Sequence, residues 1–298
     1  MKWQVEGEGL RTPSARRPGR PTEAACLTQE TSQPEDRLVL RQVRCRDELE
    51  GALRLVHDNY VRCGYTAPQP GGLRVGVHYA LPTTQCFVAV VRGEVFATAS
   101  LFADGPLGLP ADELYPDKLA ELRLAGRKIG EVGMLADRRR EQSRSFPTLL
   151  RMMKRIFWTV LDAGLDDLVI TVNPKHAEFY KQMLCFEDFG PLRSYASVGN
   201  APALLLRVNL TSLDPDNARD AGIRRLFLTP LAAEERTPQE YLMPDEDVRY
   251  FLAEKSDLLR RLRPDQREAL QQQRPDLDLD ALAGPRKTRP RGRRAPAR

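Results

Sequence analysis

Glu131 stands in an otherwise small and apolar run, Gly130-Glu131-Val132-Gly133-Met134-Leu135-Ala136. A carboxylate in such a strand is costly unless it is paired or at work. It is either an outward-facing or arginine-paired strand residue, or a general base whose pKa burial raises toward that of an amine. Downstream, Asn173-Pro174-Lys175-His176-Ala177-Glu178-Phe179-Tyr180 offers a phenol, Tyr180, as a proton donor or as a ring packed on the sheet. His176 reads as a helix-start residue bonding locally. Between these segments lies Arg138-Arg139-Arg140-Glu141-Gln142-Ser143-Arg144-Ser145, followed by Arg151, Lys154 and Arg155 at i, i+3 and i+4. That spacing predicts one basic helix face, turned away from the apolar stripe, as solvated charge or as a dock for an acidic partner.

The elements that must hold these groups follow from periodicity. A strand is expected at 38–43, and a helix from Asp47 with Leu49, Leu53, Val56 and Tyr60 on one face, ended by Gly64. Residues 65–82 read as a loop, 86–91 and 95–102 as a hairpin around Arg92-Gly93-Glu94, and 105–126 carries no clear pattern. A strand at 128–136 leads into a long helix with Leu149, Leu150, Met153, Ile156, Phe157, Val160 and Leu161 as its stripe, Ser145 as N-cap and Gly164 as stop. A strand at 168–172, a helix at 175–184 capped by Asn173 with Pro174 at its first position, and strands at 186–189 and 203–208 complete the pattern. The fold class is α/β (α+β), a mixed sheet with helices on both faces.

Composition narrows the function. No apolar run approaches the ~18 residues of a bilayer span, and the start carries acids where a secretory signal would be basic and apolar, so a cytoplasmic location is expected. Five cysteines without a Cys-x-x-Cys pair and three scattered histidines argue against a disulfide framework and a zinc site. Of the net charge of +5, seven positive charges and no acid sit in residues 285–298, leaving −2 on the remainder. Specific nucleic-acid binding is therefore not expected. Neither a Gly-x-x-x-x-Gly-Lys-[Ser/Thr] nor a Gly-x-Gly-x-x-Gly motif is present, which removes support for kinases and dehydrogenases.

The succession EVGMLADRRREQSRSFPTLLRMM, LVITVNPKHAEFYKQMLCFEDFG and NAPALLLRVNL, spread over residues 38–210, resembles the GNAT acyltransferase superfamily and most closely its FeeM-type N-acyl amino acid synthases. The resemblance implies a GNAT-like, mostly antiparallel central sheet flanked by helices. It implies transfer of a long acyl chain from a phosphopantetheine thioester on acyl carrier protein to the amine of an amino acid, with no tightly bound cofactor. Glu131 would take the amine's proton and Tyr180 would protonate the departing thiolate. The donor would lie along Met134, Leu135 and Ala136, the loop residues Arg138, Arg139, Arg140, Arg144 and Ser145, and Asn173.

Three departures matter. The loop at 138–145 has none of the glycines that wrap the pyrophosphate of coenzyme A, so a carrier protein docked on Arg151, Lys154 and Arg155 is the expected donor. Met134 stands where acyl-homoserine-lactone synthases, also similar, carry an arginine, which favours an ordinary amino acid as acceptor. Cys185 stands where the family has glycine. The acceptor's carboxylate needs a cation, for which Arg62 and Arg74 are candidates, with Tyr65, His78 and Tyr79 lining the pocket. The expected organisation is a disordered leader at 1–36, an N-acyltransferase domain at 37–210, a helical appendage at 211–283 and a disordered basic tail at 284–298. Two alternatives stand beside it: a non-catalytic GNAT-fold binding or regulatory module, and an N-acetyltransferase using acetyl- or acyl-coenzyme A.

Overall fold

The computed structural model of the chain describes residues 38–138, 142–213 and 241–284, with the backbone alone at 142–145. The leader, the tail from 285, the part of the expected appendage at 214–240, Arg139, Arg140 and the side chains of Arg144 and Ser145 lie outside the described residues. The order of elements is β1 (Val39–Gln42), α1 (Arg46–Arg62), β2 (Thr84–Val91), β3 (Glu94–Ala103), α2 (Pro116–Leu124), β4 (Ile129–Asp137), α3 (Gln142–Asp162), β5 (Asp167–Val172), α4 (Pro174–Leu184), β6 (Glu187–Tyr195) and β7 (Ala201–Asn209). Beyond residue 240 come α5 (Asp245–Arg249), a π-helical turn (Tyr250–Glu254), α6 (Leu258–Arg261), α7 (Pro264–Gln273) and α8 (Leu279–Ala283).

The strands form one seven-stranded sheet in the order β1-β2-β3-β4-β5-β7-β6. Every pairing is antiparallel except β4 with β5. This is the mixed, mostly antiparallel sheet expected. The β2–β3 hairpin closes on Arg92 and Gly93, whose φ values of 51° and 76° are those of a two-residue turn that follows the twist of the strands. A parallel pair cannot be joined by a hairpin, and α3 supplies the crossover from β4 to β5. Its Met152, Met153, Ile156, Phe157 and Val160 are buried on one face of the sheet, joined there by Ala177 and Leu184 of α4. The opposite face is covered by α1 through Leu49 and Leu53, by α2 through Leu119 and Leu122, and by the C-terminal helices through Phe251, Leu252 and Leu270.

Those C-terminal helices share the core of the sheet domain and are tied to it by polar bonds. The Tyr250 hydroxyl donates to Glu50 at 2.6 Å. The buried Arg274 guanidinium donates to the carbonyl oxygens of Ala80 at 2.8 Å and Met243 at 3.1 Å and pairs with Asp276 at 2.7 Å.

Three expectations are corrected. Helix α3 begins at Gln142, so Ser145 is inside it and does not cap it; Pro147 sits within the helix, where its fixed φ fits and its missing N–H costs one bond. Arg155 is 5% exposed and Thr148, seven residues earlier on the same face, 4%. The flank of α3 expected to be solvated is thus covered, and the basic face is reduced to the exposed Arg151 and the half-buried Lys154. The segment without a pattern at 105–126 contains a 3-10 turn (Pro110–Glu113) and α2, each opening on a proline at its first position.

Candidate active site

Glu131 lies at the middle of the sheet, opposite Phe102 of β3 and Val169 of β5. It is 4% exposed. Among the described residues no lysine or arginine pairs with it, so the arginine-paired reading does not hold there. Its one hydrogen bond is from the Ala111 N–H to Oε2 at 2.7 Å. Burial pushes its carboxyl up to about 8; the Ala111 N–H works against this and the negative charge of Asp112 adds to it. A group of that pKa exchanges a proton with an amine at little cost near neutral pH.

The strand that carries Glu131 is irregular just beyond it. Between β3 and β4 the register runs Ser100 with Gly133 and then Thr98 with Ala136, which gives β4 one extra residue. The bulge is centred on Met134, a non-glycine residue at φ 53°. On its other side β4 pairs with β5 through Ile129, Gly130 and Glu131 alone. From there the two strands part, and on the β5 side Met134, Leu135 and Ala136, the segment expected to hold the donor, have no strand partner, while Ala136 pairs with Thr98 on the β3 side. An apolar cleft, open to solvent, is lined here by Val132 of β4, Met153, Ile156 and Phe157 of α3, Ile170 of β5 and Tyr180 of α4 among others.

Tyr180 comes to the cleft from α4. The Asn173 side chain caps that helix by accepting the Lys175 N–H at 3.2 Å, so this expected donor contact is first of all a cap. Tyr180 sits edge-on between Phe179 and Phe186, at centroid distances of 5.2 and 6.0 Å. Burial pushes its phenol up to about 12, and Tyr60 contributes in the same direction, so Tyr180 holds its proton at neutral pH. The helix ends on Cys185, which takes the left-handed conformation at φ 57°. The family's glycine and this cysteine thus serve one geometry.

On the Glu131 side of the sheet, three separate stretches converge. The Arg74 guanidinium lies over the Tyr60 ring at 4.5 Å and reaches the Ser197 carbonyl at 3.5 Å, while its buried Nε has no partner within the described residues. Burial raises the pKa of both Tyr60 and Tyr195; in each, the charge of Glu131 adds and that of Arg74 opposes, which puts Glu131 and Arg74 each within electrostatic reach of both tyrosines. Tyr65 meets Tyr60 edge-on at 5.7 Å. The turn after β6 packs against this corner so closely that a Cβ on Gly199, at φ +61°, would lie 3.0 Å from the Tyr65 carbonyl oxygen.

The other expected acceptor contacts divide. His78 packs edge-on against Phe102 at 5.7 Å, its Nε2 is buried without a partner among the described residues, and burial pushes it down to about 4, so it is neutral at pH 7. Tyr79 is buried with its hydroxyl bonded to Ser100 at 2.7 Å and is a core residue. Arg62 is exposed and bonded to Asn59. His176 is exposed on α4. Arg138 pairs with Glu94 of the β2–β3 hairpin. Tyr60 and Tyr195 were not singled out as site residues by the sequence; Tyr60 reads as one member of an apolar helix stripe, and Tyr195 has no local pattern at all.

Comparison with known proteins agrees with this geometry. The family model for N-acyl amino acid synthase FeeM matches residues 51–209, more than half of the chain. The solved structure of FeeM, an N-acyl amino acid synthase from uncultured soil microbes, is 28% identical, with a TM-score of 0.53 over 59% of this chain and 92% of that one. The CoA-dependent acyl-homoserine lactone synthase BjaI, with SAM and isopentyl-CoA, is 18% identical, TM-score 0.47, over 63% and 87% of the two chains. The AHL synthase LasI is 16% identical, TM-score 0.46, over 59% and 91%. No curated protein sequence matches significantly. The match over residues 51–209 makes this chain a member of the FeeM N-acyl amino acid synthase family and an N-acyltransferase.

Proposed function

We propose that the chain moves a long acyl group from the phosphopantetheine thioester of an acyl carrier protein to the α-amine of an amino acid. The observation that carries this reading is the placement of Glu131 between an apolar cleft on one side and the cation Arg74 on the other. The acyl chain would occupy the cleft beside Val132, Ile156 and Phe157. The thioester would lie in the split between β4 and β5, and the amino acid's carboxylate would meet Arg74.

The chemistry then runs in order. Glu131 takes a proton from the ammonium group, and the free amine attacks the thioester carbonyl carbon. Negative charge gathers on the carbonyl oxygen, where backbone N–H groups of the β4 bulge supply donors that need no rearrangement. The C–S bond breaks as Tyr180 gives its proton to the leaving sulfur, the proton still on the attacking nitrogen passes to the tyrosinate, and the neutral amide remains; Glu131 then returns its proton to solvent. General acid–base help of this kind contributes about 10²- to 10⁴-fold.

A carrier protein is preferred as donor because the loop before α3 lacks the glycines that wrap a pyrophosphate and because Arg151 and Lys154 extend from α3 as a small basic surface. The similarity to FeeM, an N-acyl amino acid synthase, supports an amino acid as acceptor. The test is mass spectrometry of the products formed from long-chain acyl carrier protein, or the matching acyl-coenzyme A, and a mixture of the twenty amino acids, with Glu131→Gln in parallel. An N-acyl amino acid that depends on the carrier-bound donor and vanishes in the variant is expected. Product from the coenzyme A thioester alone would reassign the donor.

A further inference from the structure

The Ala111 N–H that donates to Glu131 belongs to the 3-10 turn Pro110–Glu113, and that turn is held from outside by the Ser197 hydroxyl at Glu113 and, at Asp112 next to Ala111, by Arg123. Arg123, in the last turn of α2, donates through Nη1 to Asp112 Oδ1 at 2.7 Å and through Nη2 to Asp112 Oδ2 at 2.6 Å. The same guanidinium donates through Nε to Asp104 Oδ2 at 2.7 Å and through Nη2 to Asp104 Oδ1 at 2.8 Å. Asp104 is anchored in turn, its N–H bonding to the carbonyl of Ile129 at the start of β4, at 2.9 Å. Asp112 closes the turn by accepting the Leu109 N–H at 2.7 Å. Gly108 permits the approach: at φ +74° a Cβ there would come within 2.7 Å of Asp112 Oδ2.

We propose that Arg123 is a positioning residue for Glu131, fixing the turn so that the Ala111 N–H stays aimed at the carboxylate and offsetting the negative charge of Asp112 beside it. The proposal rests on the reading of Glu131 as the base. Its logic is geometric: Ala111 is fully buried and adjoins Asp112 in sequence, so any shift of the Asp112 carboxylate moves the donor. Both effects of Arg123 act in one direction. Loss of the N–H bond and exposure of Glu131 to an uncompensated Asp112 each favour the protonated carboxyl. The other groups that face Glu131 are Tyr60 from α1, Tyr195 from β6 and Arg74, with Glu113 beside Tyr195 and His78 beside Asp112. Burial keeps both tyrosines protonated through the neutral range.

The test compares the wild type with Arg123→Gln, Arg123→Lys and Glu131→Gln in the full chain. One readout is the pH profile of kcat/KM for thiol release from a long-chain acyl thioester with mixed amino acids. The other, independent of turnover, is the infrared titration of the Glu131 carboxyl in protein labelled with carbon-13 glutamate, assigned by subtraction of Glu131→Gln. Arg123→Gln is expected to move both the rising limb and the titration up by about one pH unit, with about a tenfold lower kcat/KM below the limb and recovery above it. Arg123→Lys keeps the charge without the planar fork and should fall between; it serves if the glutamine variant does not fold. A fall by one factor at every pH, with the carboxyl titration unmoved, overturns the proposal and leaves Arg123 a structural residue. Full turnover by Glu131→Gln would sink the base reading itself, an outcome the infrared titration separates from the first.

Discussion

The guanidinium of Arg74 lies over the ring of Tyr60, 4.5 Å from its centroid. The stack covers one face of the cation, Nη2 reaches the Ser197 carbonyl, and Nε is buried without a partner among the described residues. Because Tyr60 also senses Glu131 and Tyr180, this pair marks the point where the two faces of the sheet communicate through the split between β4 and β5.

Replacing Arg74 separates binding from chemistry. Arg74→Met should raise KM for the amino acid about ten- to a hundredfold, the worth of a charge-assisted hydrogen bond, with a smaller change in kcat. Steady-state kinetics with an amino acid and with its methyl ester would check it. The variant should treat the two acceptors alike, and an undiminished preference for the free carboxylate would remove Arg74 from acceptor binding.

Glu131 has a cost for stability whose sign is fixed. Its carboxyl titrates at about 8 in the folded chain against 4.5 when unperturbed. Between those values the unfolded chain has released the proton and the folded chain keeps it, so stability falls as pH rises through this window, by about 1.4 kcal/mol per unit. Glu131→Gln lacks this loss. Urea denaturation at about pH 5 and about pH 8 should show the variant gaining a few kcal/mol on the wild type at the higher pH. Parallel curves would mean that the carboxyl is not held protonated by burial.

Cys185 carries backbone strain that glycine would not. A side chain in the left-handed region costs about 1 kcal/mol, so Cys185→Gly should raise the melting temperature by a few degrees and leave turnover in place. A lower melting temperature would show that the packing of the cysteine against the α3–α4 core outweighs its strain.

Arg274 joins the C-terminal helices to the turn that bears His78. Arg274→Met leaves the buried carbonyls of Ala80 and Met243 without a donor and should destabilise the chain by about 3 kcal/mol. A denaturation midpoint within experimental scatter of the wild type would mean that water replaces the guanidinium.

Much of this was legible in the sequence because it is local. The hairpin is written in Arg92-Gly93, the crossover helix in its apolar stripe, the cap of α4 in Asn173-Pro174, and the buried carboxyl in a lone acid on an apolar strand. Helix α2 escaped because it buries just Leu119 and Leu122 and opens on a proline that reads as a break. Arg155 was misjudged because periodicity tells which face of α3 is apolar and not how far its neighbours reach around it. The corner of Tyr60, Arg74 and Tyr195 is assembled from α1, a loop and β6, and no spacing along the chain foretells such a meeting.

The short β4–β5 pairing also makes the sheet two ladders sewn at a narrow seam. Strands β1 to β4 form one ladder and β5, β7 and β6 the other, and three residue pairs stitch them. An extended molecule lying in the split can bond to both edges at once and lengthen the stitching. Its departure would undo the added stitches and leave the three pairs of β4 and β5 as the whole of the seam.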